Sequence, residues 1–359
     1  MKKKNFFFIL IIFLVFLFYL IIDFSLSKIF LKNNHCYNFQ YFPKGYFYDL
    51  KKNCISKFRF KSGYPSVDLV TDSRGLRTNK EKKIIENSKE NIFLFGDSFT
   101  FGVGLNYADT FAGIFEKTFP EYNFLNFAVG SYSPTVHLYR LKKILNNNIF
   151  PKKIFIFLDL TDVIDESQRW SFDKKINLPI RPDQGFGPKD NFFNQNFRLS
   201  YEIVNLVRYN MRILKRKSKD LSDNSQIIKS SIQGQFTYTP KNKLDKRFWD
   251  NNKFQKGIDG IEYNINEIIK ISKKINSELY IVTYPWAETL QYGQNEFNWS
   301  KFARDLCENN KCKAIDAIPK FESYKNKEKN WLSELYLIRD VHFNKGGAKL
   351  LAEVLIKSF

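Results

Sequence analysis

Three side chains, one in the N-terminal third of the sequence and two near its C-terminal end, have the types that an acyl-transfer site requires. Ser98 follows a short apolar run in a glycine-containing segment. At the start of a helix it would lie beside backbone N–H groups that stabilise negative charge. Asp340 and His342 are two positions apart, so in extended backbone both side chains lie on one side. The carboxylate can then fix the imidazole tautomer, which predicts a nucleophile, a general base and an orienting acid.

The other two histidines fit this chemistry less well. His35 is close to the N-terminal apolar segment, and His137 lies inside a predicted helix, where packing or surface exposure is the usual role. Ser98 by itself could be only an N-cap, which is the commonest use of serine before a helix. We predict that Ser98 and His342 lie within hydrogen-bonding distance, directly or through one water.

Strand and helix patterns alternate around these residues. Continuous apolar runs, typical of strands buried on both faces, predict five strands at 91–95, 122–129, 153–160, 278–284 and 313–318. Apolar residues at helical spacing predict helices at 111–119, 134–145, 260–276, 298–310 and from 345 onward. The pattern predicts an α/β fold with an open, mostly parallel sheet covered by helices, and ligands bind beyond the carboxyl ends of such strands.

Three motifs resemble those of the SGNH/GDSL hydrolase superfamily, and they occur in the family's order. They are GDSFTFG at 96–102, NFAVGSYS at 126–133 and DVHFNKGG at 340–347. The resemblance covers about 91–162 and 278–359 and implies a three-layer α/β/α sandwich. It also implies roles for individual residues: Ser98 as nucleophile, His342 as general base and Asp340 as its orienting carboxylate. The backbone N–H groups of Ser98 and Gly130 would form the oxyanion hole.

The sequence departs from the family pattern in two places. The motif that usually contains an asparagine is represented by LDLTDVID, which makes Thr161 the candidate for the third oxyanion donor. Asp340 and His342 are two positions apart, whereas many members space these residues by three. The shorter spacing is similar to the envelope-associated branch that adds or removes O-acetyl groups on bacterial polysaccharides.

Two aromatic residues follow the fourth predicted strand. Tyr284 and Trp286 flank a proline at the same edge of the sheet as Ser98, where an indole face could stack on a sugar ring. The sequence is equally compatible with a rigid proline turn in which the tryptophan packs beneath the insertion. Tyr284 and Trp286 are therefore candidate substrate-binding residues.

An uninterrupted apolar run at 6–22 follows Lys2, Lys3 and Lys4. As a helix the run would be roughly 26 Å long, close to the thickness of a bilayer core. The lysines predict that the N-terminus stays in the cytoplasm and that the remainder is exported. The run exceeds the usual apolar region of a signal peptide and no small-x-small cleavage site follows, so we favour an uncleaved anchor over a cleaved signal peptide.

The sequence predicts three regions. Residues 1–24 would be a cytoplasmic tip and transmembrane anchor, 25–88 a juxtamembrane segment without chemistry, and 89–359 the hydrolase-like domain. A Lys/Asn/Ser-rich insertion interrupts that domain at about 165–260. Its helical piece, at about 199–216, is either a lid over the site or a surface excursion.

Composition and cysteine content limit the partners. The chain has 359 residues and a net charge of +20, but no basic helix, RNP-like aromatic block or finger spacing accompanies the charge, so nucleic-acid binding is not predicted. Proximity favours Cys36–Cys54 and Cys307–Cys312 disulfides, although four cysteines permit three connectivities. Because CxxC motifs are absent and the histidines are far apart, we predict neither a metal nor another cofactor.

These features predict a serine esterase or O-acyltransferase anchored in the bacterial inner membrane and facing the periplasm or the exterior. Its substrate would be an ester, in particular the O-acetyl groups of an envelope or exported glycan. The alternative is a catalytically inactive glycan-binding or scaffold module of an envelope complex. The sequence indicates no particular protein partner.

Overall fold

A long helix and two antiparallel strand pairs form the N-terminal part of the protein. The computed structural model describes residues 2–29, 36–60, 64–79, 88–182, 196–217, 233–240, 251–308, 310, 312–338 and 340–359. Its first elements are α1 Lys2–Ile29, β1 Tyr37–Phe42, β2 Gly45–Leu50, β3 Ile55–Phe58 and β4 Val67–Val70. Strand β1 pairs with β2, and β3 pairs with β4. Both predicted disulfides, Cys36–Cys54 and Cys307–Cys312, are confirmed.

A five-stranded parallel sheet forms the centre of the protein. Its strands are β5 Asn91–Phe95, β6 Asn123–Asn126, β7 Pro151–Leu158, β10 Glu278–Thr283 and β11 Lys313–Asp316, and a separate antiparallel pair consists of β8 Ser171–Asp173 and β9 Leu178–Ile180. The order across the sheet is β11-β10-β7-β5-β6. Because helices cover both faces, the middle parts of the three central strands, at 92–95, 154–158 and 279–282, are continuously apolar and buried. The predicted α/β fold class is confirmed.

Helices lie between the strands of the central sheet and after the last of them. They are α2 Ser98–Phe101, α3 Phe111–Thr118, α4 Pro134–Leu145, α5 Asp162–Ile164, α6 Arg198–Lys217, α7 Asn251–Lys274, α8 Ala287–Tyr292, α9 Trp299–Glu308, α10 Ile318–Lys327, α11 Trp331–Leu335 and α12 Lys345–Ser358. A π-helical turn at Asp165–Arg169 continues α5, and 3₁₀ turns lie at Tyr107–Asp109 and Gln233–Thr237.

Aromatic contacts show that helices cover opposite faces of the sheet. The Phe111 ring of α3 lies 4.8 Å from that of Phe157 in β7. Phe95 of β5 is in register with Ile156, the neighbour of Phe157, and therefore points to the other face. There the Phe95 ring lies 5.9 Å from that of His137 in α4. The arrangement is three-layered, as the family resemblance implies.

Helix α7 begins nearer the N-terminus than the sequence predicts, at Asn251 rather than near Gly260. Glycine and asparagine lower helix propensity in this stretch, but tertiary packing overrides that preference. A Cβ on Gly257 would lie 2.1 Å from the Val163 carbonyl oxygen, so glycine allows α7 to approach α5 closely. The predicted insertion therefore ends inside this helix.

Two regions outside the central sheet have more structure than the sequence indicates. Strands β1–β4 were not expected in 25–88. In β1, Tyr37, Phe39 and Tyr41 alternate with polar residues, a short period-two pattern that was not recognised, whereas β2 is buried at four of its six positions and shows no alternation. They join Tyr132 and Trp170 of the main domain in a second apolar cluster. Helix α6, the predicted lid or surface excursion, contacts the C-terminal part of α1, at Asp23 and Ser27.

Candidate active site

The candidate site lies where the carboxyl ends of β5, β6 and β7 meet. The chain passes from β5 outward to β6 and then returns across the sheet to β7, on the other side of β5. The loops after β5 and β7 therefore diverge and leave a crevice between them, which is where open α/β sheets bind ligands. Ser98 follows β5, Gly130 follows β6 and Thr161 follows β7.

Local interactions hold Ser98 as the first residue of α2. Asp97 caps this helix, since its Oδ1 accepts a hydrogen bond of 2.9 Å from the Phe99 backbone N–H. A Cβ on Gly96 would lie 2.1 Å from Thr100 Oγ1, so the turn between β5 and the serine requires glycine. The GDS sequence is thus needed for the shape of this turn, apart from any chemistry of its serine.

The Ser98 hydroxyl contacts the His342 ring. Ser98 Oγ lies 2.8 Å from His342 Nε2, and the predicted proximity of these two residues is confirmed. His342 Nδ1 contacts Asp340 Oδ1, and the His342 backbone N–H donates to the same oxygen at 3.2 Å. With Nδ1–H directed at the carboxylate, Nε2 is left to accept the Ser98 proton. This geometry suits a serine that is activated by a general base.

A second carboxyl group lies close to the serine. Asp97 Oδ2 is 3.0 Å from Ser98 Oγ and is an alternative acceptor for its proton. Burial, together with the nearby Asp159 carboxylate, raises the pKa of Asp97 well above its usual range. The raised pKa favours the neutral form, which is a weaker acceptor than a carboxylate, so His342 competes better for the hydroxyl proton.

Gly130 faces Ser98 across the crevice. A Cβ placed on Gly130 would lie 3.9 Å from the Ser98 Cβ. The Tyr48 hydroxyl donates a bond of 2.7 Å to the Gly130 carbonyl, and Trp170 Nε1 donates one of 2.7 Å to the Ser131 carbonyl. Both carbonyl oxygens therefore point toward these two aromatic side chains, Tyr48 and Trp170. Among the described residues, no hydrogen-bond acceptor is present for the N–H of Gly130 or of Ser98.

Thr161 has the position that the sequence predicts, but its hydroxyl is already engaged. Thr161 Oγ1 donates a bond of 2.5 Å to Asp159 Oδ1, and the Thr161 backbone N–H donates to the same oxygen at 2.8 Å. A threonine hydroxyl has a single proton, so it cannot donate to an oxyanion while this bond persists. Its role as the third donor stays a prediction, with the added requirement that the hydroxyl rotate.

The structure does not support sugar stacking by Tyr284 and Trp286. The two side chains are 1% and 3% exposed, so neither ring offers a free face to a ligand. Trp286 Nε1 donates to Asp159 Oδ2 at 2.8 Å, and the Tyr284 hydroxyl donates to the same oxygen at 3.1 Å. Each aromatic residue is held inward because a buried carboxylate takes its polar hydrogen. The expectation of a substrate-binding pair is corrected accordingly.

Arg77 supports the loop that carries Ser98, a role that the sequence did not indicate. It is 1% exposed, and its guanidinium donates to the carbonyls of Phe101, Gly102 and Leu105 just after α2. The guanidinium also lies 4.4 Å from the Phe101 ring centroid. Burial lowers the pKa of Arg77 to about 10. In the sequence, Arg77 lies in the segment TDSRGLRTN at 71–79, and this pattern by itself indicates only a turn.

Two aromatic residues of the same N-terminal region reach the His342 loop. The Phe60 ring lies edge-on to the His342 ring, with 5.1 Å between centroids. The Tyr64 hydroxyl donates to the Ile338 carbonyl. Together with Tyr48 and Arg77, these residues bring the N-terminal region into contact with the loops that carry Ser98, Gly130 and His342, three of the four loops with candidate catalytic residues. The segment thus supports the loops of the site, while the expectation that it carries no chemistry of its own stays a prediction.

Comparisons with known proteins found matches among solved structures. No family model and no curated protein matches the chain. One matching solved structure is a member of the lipolytic protein G-D-S-L family from Veillonella parvula, 12% identical, covering 75% of this chain and 98% of its own, with a TM-score of 0.41. A putative lipolytic protein of the G-D-S-L family from Desulfitobacterium hafniense is 12% identical, with coverages of 76% and 100% and a TM-score of 0.41.

A third matching structure is a catalytic mutant of Axe2, an acetylxylan esterase from Geobacillus stearothermophilus. It is 12% identical, with coverages of 76% and 95% and a TM-score of 0.40. Likenesses of this strength carry no argument about activity, so the fold class rests on the strand order and the chemistry on the side chains. Within the described parts of the chain, no group of three or more His, Cys, Asp or Glu side chains could hold a metal ion.

Proposed function

We propose that this protein is an SGNH-type serine esterase or O-acyltransferase that acts through Ser98, His342 and Asp340. The observation that supports the proposal most strongly is the distance of 2.8 Å between Ser98 Oγ and His342 Nε2, with Nδ1 held by Asp340. A serine and a histidine that are 244 positions apart in the sequence meet in this arrangement. Such a geometry is the general requirement for an activated hydroxyl nucleophile.

The proposed reaction has two stages. His342 Nε2 takes the hydroxyl proton while Ser98 Oγ attacks the ester carbonyl carbon, and the backbone N–H groups of Ser98 and Gly130 stabilise the oxyanion. The C–O bond to the leaving alcohol then breaks, and the alcohol takes the proton from His342. Water or a sugar hydroxyl next attacks the acyl carbon, and His342 accepts its proton. The bond between Ser98 Oγ and the acyl carbon then breaks, His342 returns the proton to Ser98, and the free acid or the acylated sugar leaves.

The proposed substrate is an ester, in particular the O-acetyl groups of an envelope or exported glycan. The close spacing of Asp340 and His342 supports this assignment through the resemblance to the polysaccharide-modifying branch. Asn5–Lys28 of α1 is long and apolar enough to cross a membrane, a property that a signal sequence shares. The lysines before it support a cytoplasmic N-terminus, and the two disulfides support an exported domain. We infer an anchor in a bacterial inner membrane.

Labelling with a fluorophosphonate tests the nucleophile. The wild type should react covalently, Ser98→Ala should not, and Ser333→Ala, which removes a hydroxyl from the exposed side of α11, should react like the wild type. Circular dichroism confirms that each variant is folded. A folded wild type that is not labelled would refute the proposal and favour the inactive glycan-binding or scaffold alternative.

A second experiment separates hydrolysis from transfer. The full-length protein is incubated with p-nitrophenyl acetate and its intact mass is followed over time. A short-lived acetyl adduct indicates that water is the acceptor, whereas a persistent adduct that disappears on addition of a polysaccharide indicates a transferase. Ser98→Ala is the control that should never gain acetyl mass.

A further inference from the structure

Helix α6 carries a broad apolar face that faces solvent. Six large aliphatic side chains of this helix are between 39% and 64% exposed: Ile203, Val204, Leu206, Val207, Met211 and Leu214. At 100° per residue they fall on one half of the helix circumference, while Asn205 and Arg208 lie on the other half. A face of this size on a soluble domain indicates an interaction surface.

The first turn of α6 is fixed to the outer end of α1. Asp23 accepts hydrogen bonds from the backbone N–H groups of Leu199 and Ser200, each of 2.9 Å, and one of 2.6 Å from the Ser200 hydroxyl. Ser27 Oγ accepts from the Arg198 backbone N–H at 2.6 Å. Side chains of α1 thereby cap α6 and satisfy N–H groups that have no partner within the helix.

The contacts also limit the direction in which α6 can run. In α1 the covered positions are Tyr19, Leu20, Asp23, Leu26 and Ser27, while every described side chain from 5 to 18 is exposed. Helix α6 therefore leaves α1 near its outer end and does not run back along it. Asp23 directly follows the apolar run 6–22, so the start of α6 lies at the level where a membrane-spanning α1 would emerge from the bilayer.

The charge of α6 complements an anionic surface. Its sequence, RLSYEIVNLVRYNMRILKRK, contains six Lys and Arg residues and one Glu. Glu202 forms ion pairs with Arg198 and with Arg59, the residue that directly follows β3. The second ion pair links α6 to the N-terminal strands β1–β4. The sequence-based expectation that the chain has no basic helix is therefore wrong for α6. A basic helix with one broad aliphatic face has the composition of helices that lie in the plane of a membrane interface.

We propose that α6 lies on the outer surface of the same membrane that α1 crosses, with its aliphatic face among the lipids and its basic residues at anionic headgroups. The inference rests on the proposed anchoring role of α1. Two attachments to one bilayer would fix both the height and the orientation of the domain. The Ser98 crevice would then have a constant direction relative to the membrane.

Site-directed spin labelling of the full-length protein tests the proposal. Both native disulfides are formed and no cysteine is free, so an introduced cysteine is the single reactive thiol. Leu206→Cys labels the apolar face, Arg208→Cys is the matched control on the opposite side of the same turn, and Ile12→Cys labels the anchor. Each variant is reconstituted in vesicles of phosphatidylethanolamine and phosphatidylglycerol, and collision rates with oxygen and with a water-soluble nickel complex are measured.

The ratio of oxygen to nickel collisions should be severalfold higher at positions 206 and 12 than at 208, because oxygen concentrates in the acyl region. A water-accessible label at 206 together with a lipid-exposed label at 12 would overturn the proposal for α6 and leave the anchor intact. A water-accessible label at 12 would refute the anchor, and with it this inference. A label at 206 that is shielded from both reagents would overturn the proposal in favour of a protein partner or a second copy.

Discussion

The Tyr48 hydroxyl donates a hydrogen bond of 2.7 Å to the carbonyl oxygen of Gly130. Tyr48 belongs to β2, in the region that follows α1, whereas Gly130 belongs to the loop that would form one side of the oxyanion hole. The bond fixes the peptide group between Gly130 and Ser131 and thereby helps to hold the loop that carries the Gly130 N–H. Tyr132 reinforces the contact, since its hydroxyl donates to the Tyr48 carbonyl at 2.5 Å.

Tyr48→Phe should lower the rate of acylation by up to about tenfold, which corresponds to roughly 1.4 kcal/mol of lost transition-state stabilisation. The Tyr48 hydroxyl also accepts a bond of 3.2 Å from Arg181 Nη1, so the free energy of unfolding should fall by about 2 kcal/mol, the typical net value of two hydrogen bonds. Stopped-flow measurement with p-nitrophenyl acetate gives the rate, and urea unfolding gives the stability. Tyr37→Phe, in the neighbouring strand, is the matched control; an equal loss of rate in both variants would contradict the role of Tyr48.

Thr161→Val removes the hydroxyl while keeping the side-chain shape. Because the hydroxyl proton is donated to Asp159, we expect acylation to fall by less than tenfold, with the oxyanion held by two backbone N–H groups. Loss of a direct oxyanion donor typically costs on the order of 10²-fold to 10³-fold. A loss of that size in a variant with unchanged unfolding would show that Thr161 rotates toward the oxyanion during the reaction.

His137 should make the protein less stable in acid. It is buried in α4, neither ring nitrogen has a hydrogen-bond partner among the described residues, and burial together with the charge of Arg140 lowers its pKa to about 3. The unfolded chain would bind a proton at this side chain near pH 6.5, while the folded state would not, so stability falls as the pH drops below that value.

This group should cost about 2 kcal/mol of unfolding free energy between pH 7 and pH 5. His137→Leu, which leaves no buried nitrogen unpaired, should reduce that loss by the same amount. Urea unfolding at the two pH values measures it, and the difference between the proteins cancels the contributions of groups that both retain. Parallel pH profiles for wild type and variant would contradict the assignment.

The two disulfides should differ in their effect on activity. Replacing Cys307 and Cys312 by serine opens a very short loop between α9 and β11, which should cost about 2 kcal/mol of stability and leave turnover unchanged. Replacing Cys36 and Cys54 should lower turnover as well, because that disulfide joins the β1–β2 pair, which carries Tyr48, to the β3–β4 pair. Turnover is compared at a temperature where all variants are folded; equal turnover in both double variants would contradict this distinction.

Much of the central fold could be predicted from the sequence because its signals are local. A strand buried on both faces must be apolar at nearly every position, so five continuous runs indicated five strands without reference to any other part of the chain. The turn that holds Ser98 was also predictable, since Gly96, Asp97 and the serine act on one another within a few residues. Sequence proximity likewise indicated both disulfides.

Side-chain partners far apart in the sequence were decided only by the tertiary structure. Thr161 was assigned to the oxyanion hole from the family motif, and Tyr284 and Trp286 to substrate contacts from their position at a strand end. All three donate to Asp159, an acceptor that a pattern of residue types does not reveal. Tyr48 and Arg77 act on backbone carbonyls, which every residue possesses, so no sequence motif marks their targets. Periodicity reports which face of an element is buried, whereas the direction of each polar hydrogen depends on how separate elements pack.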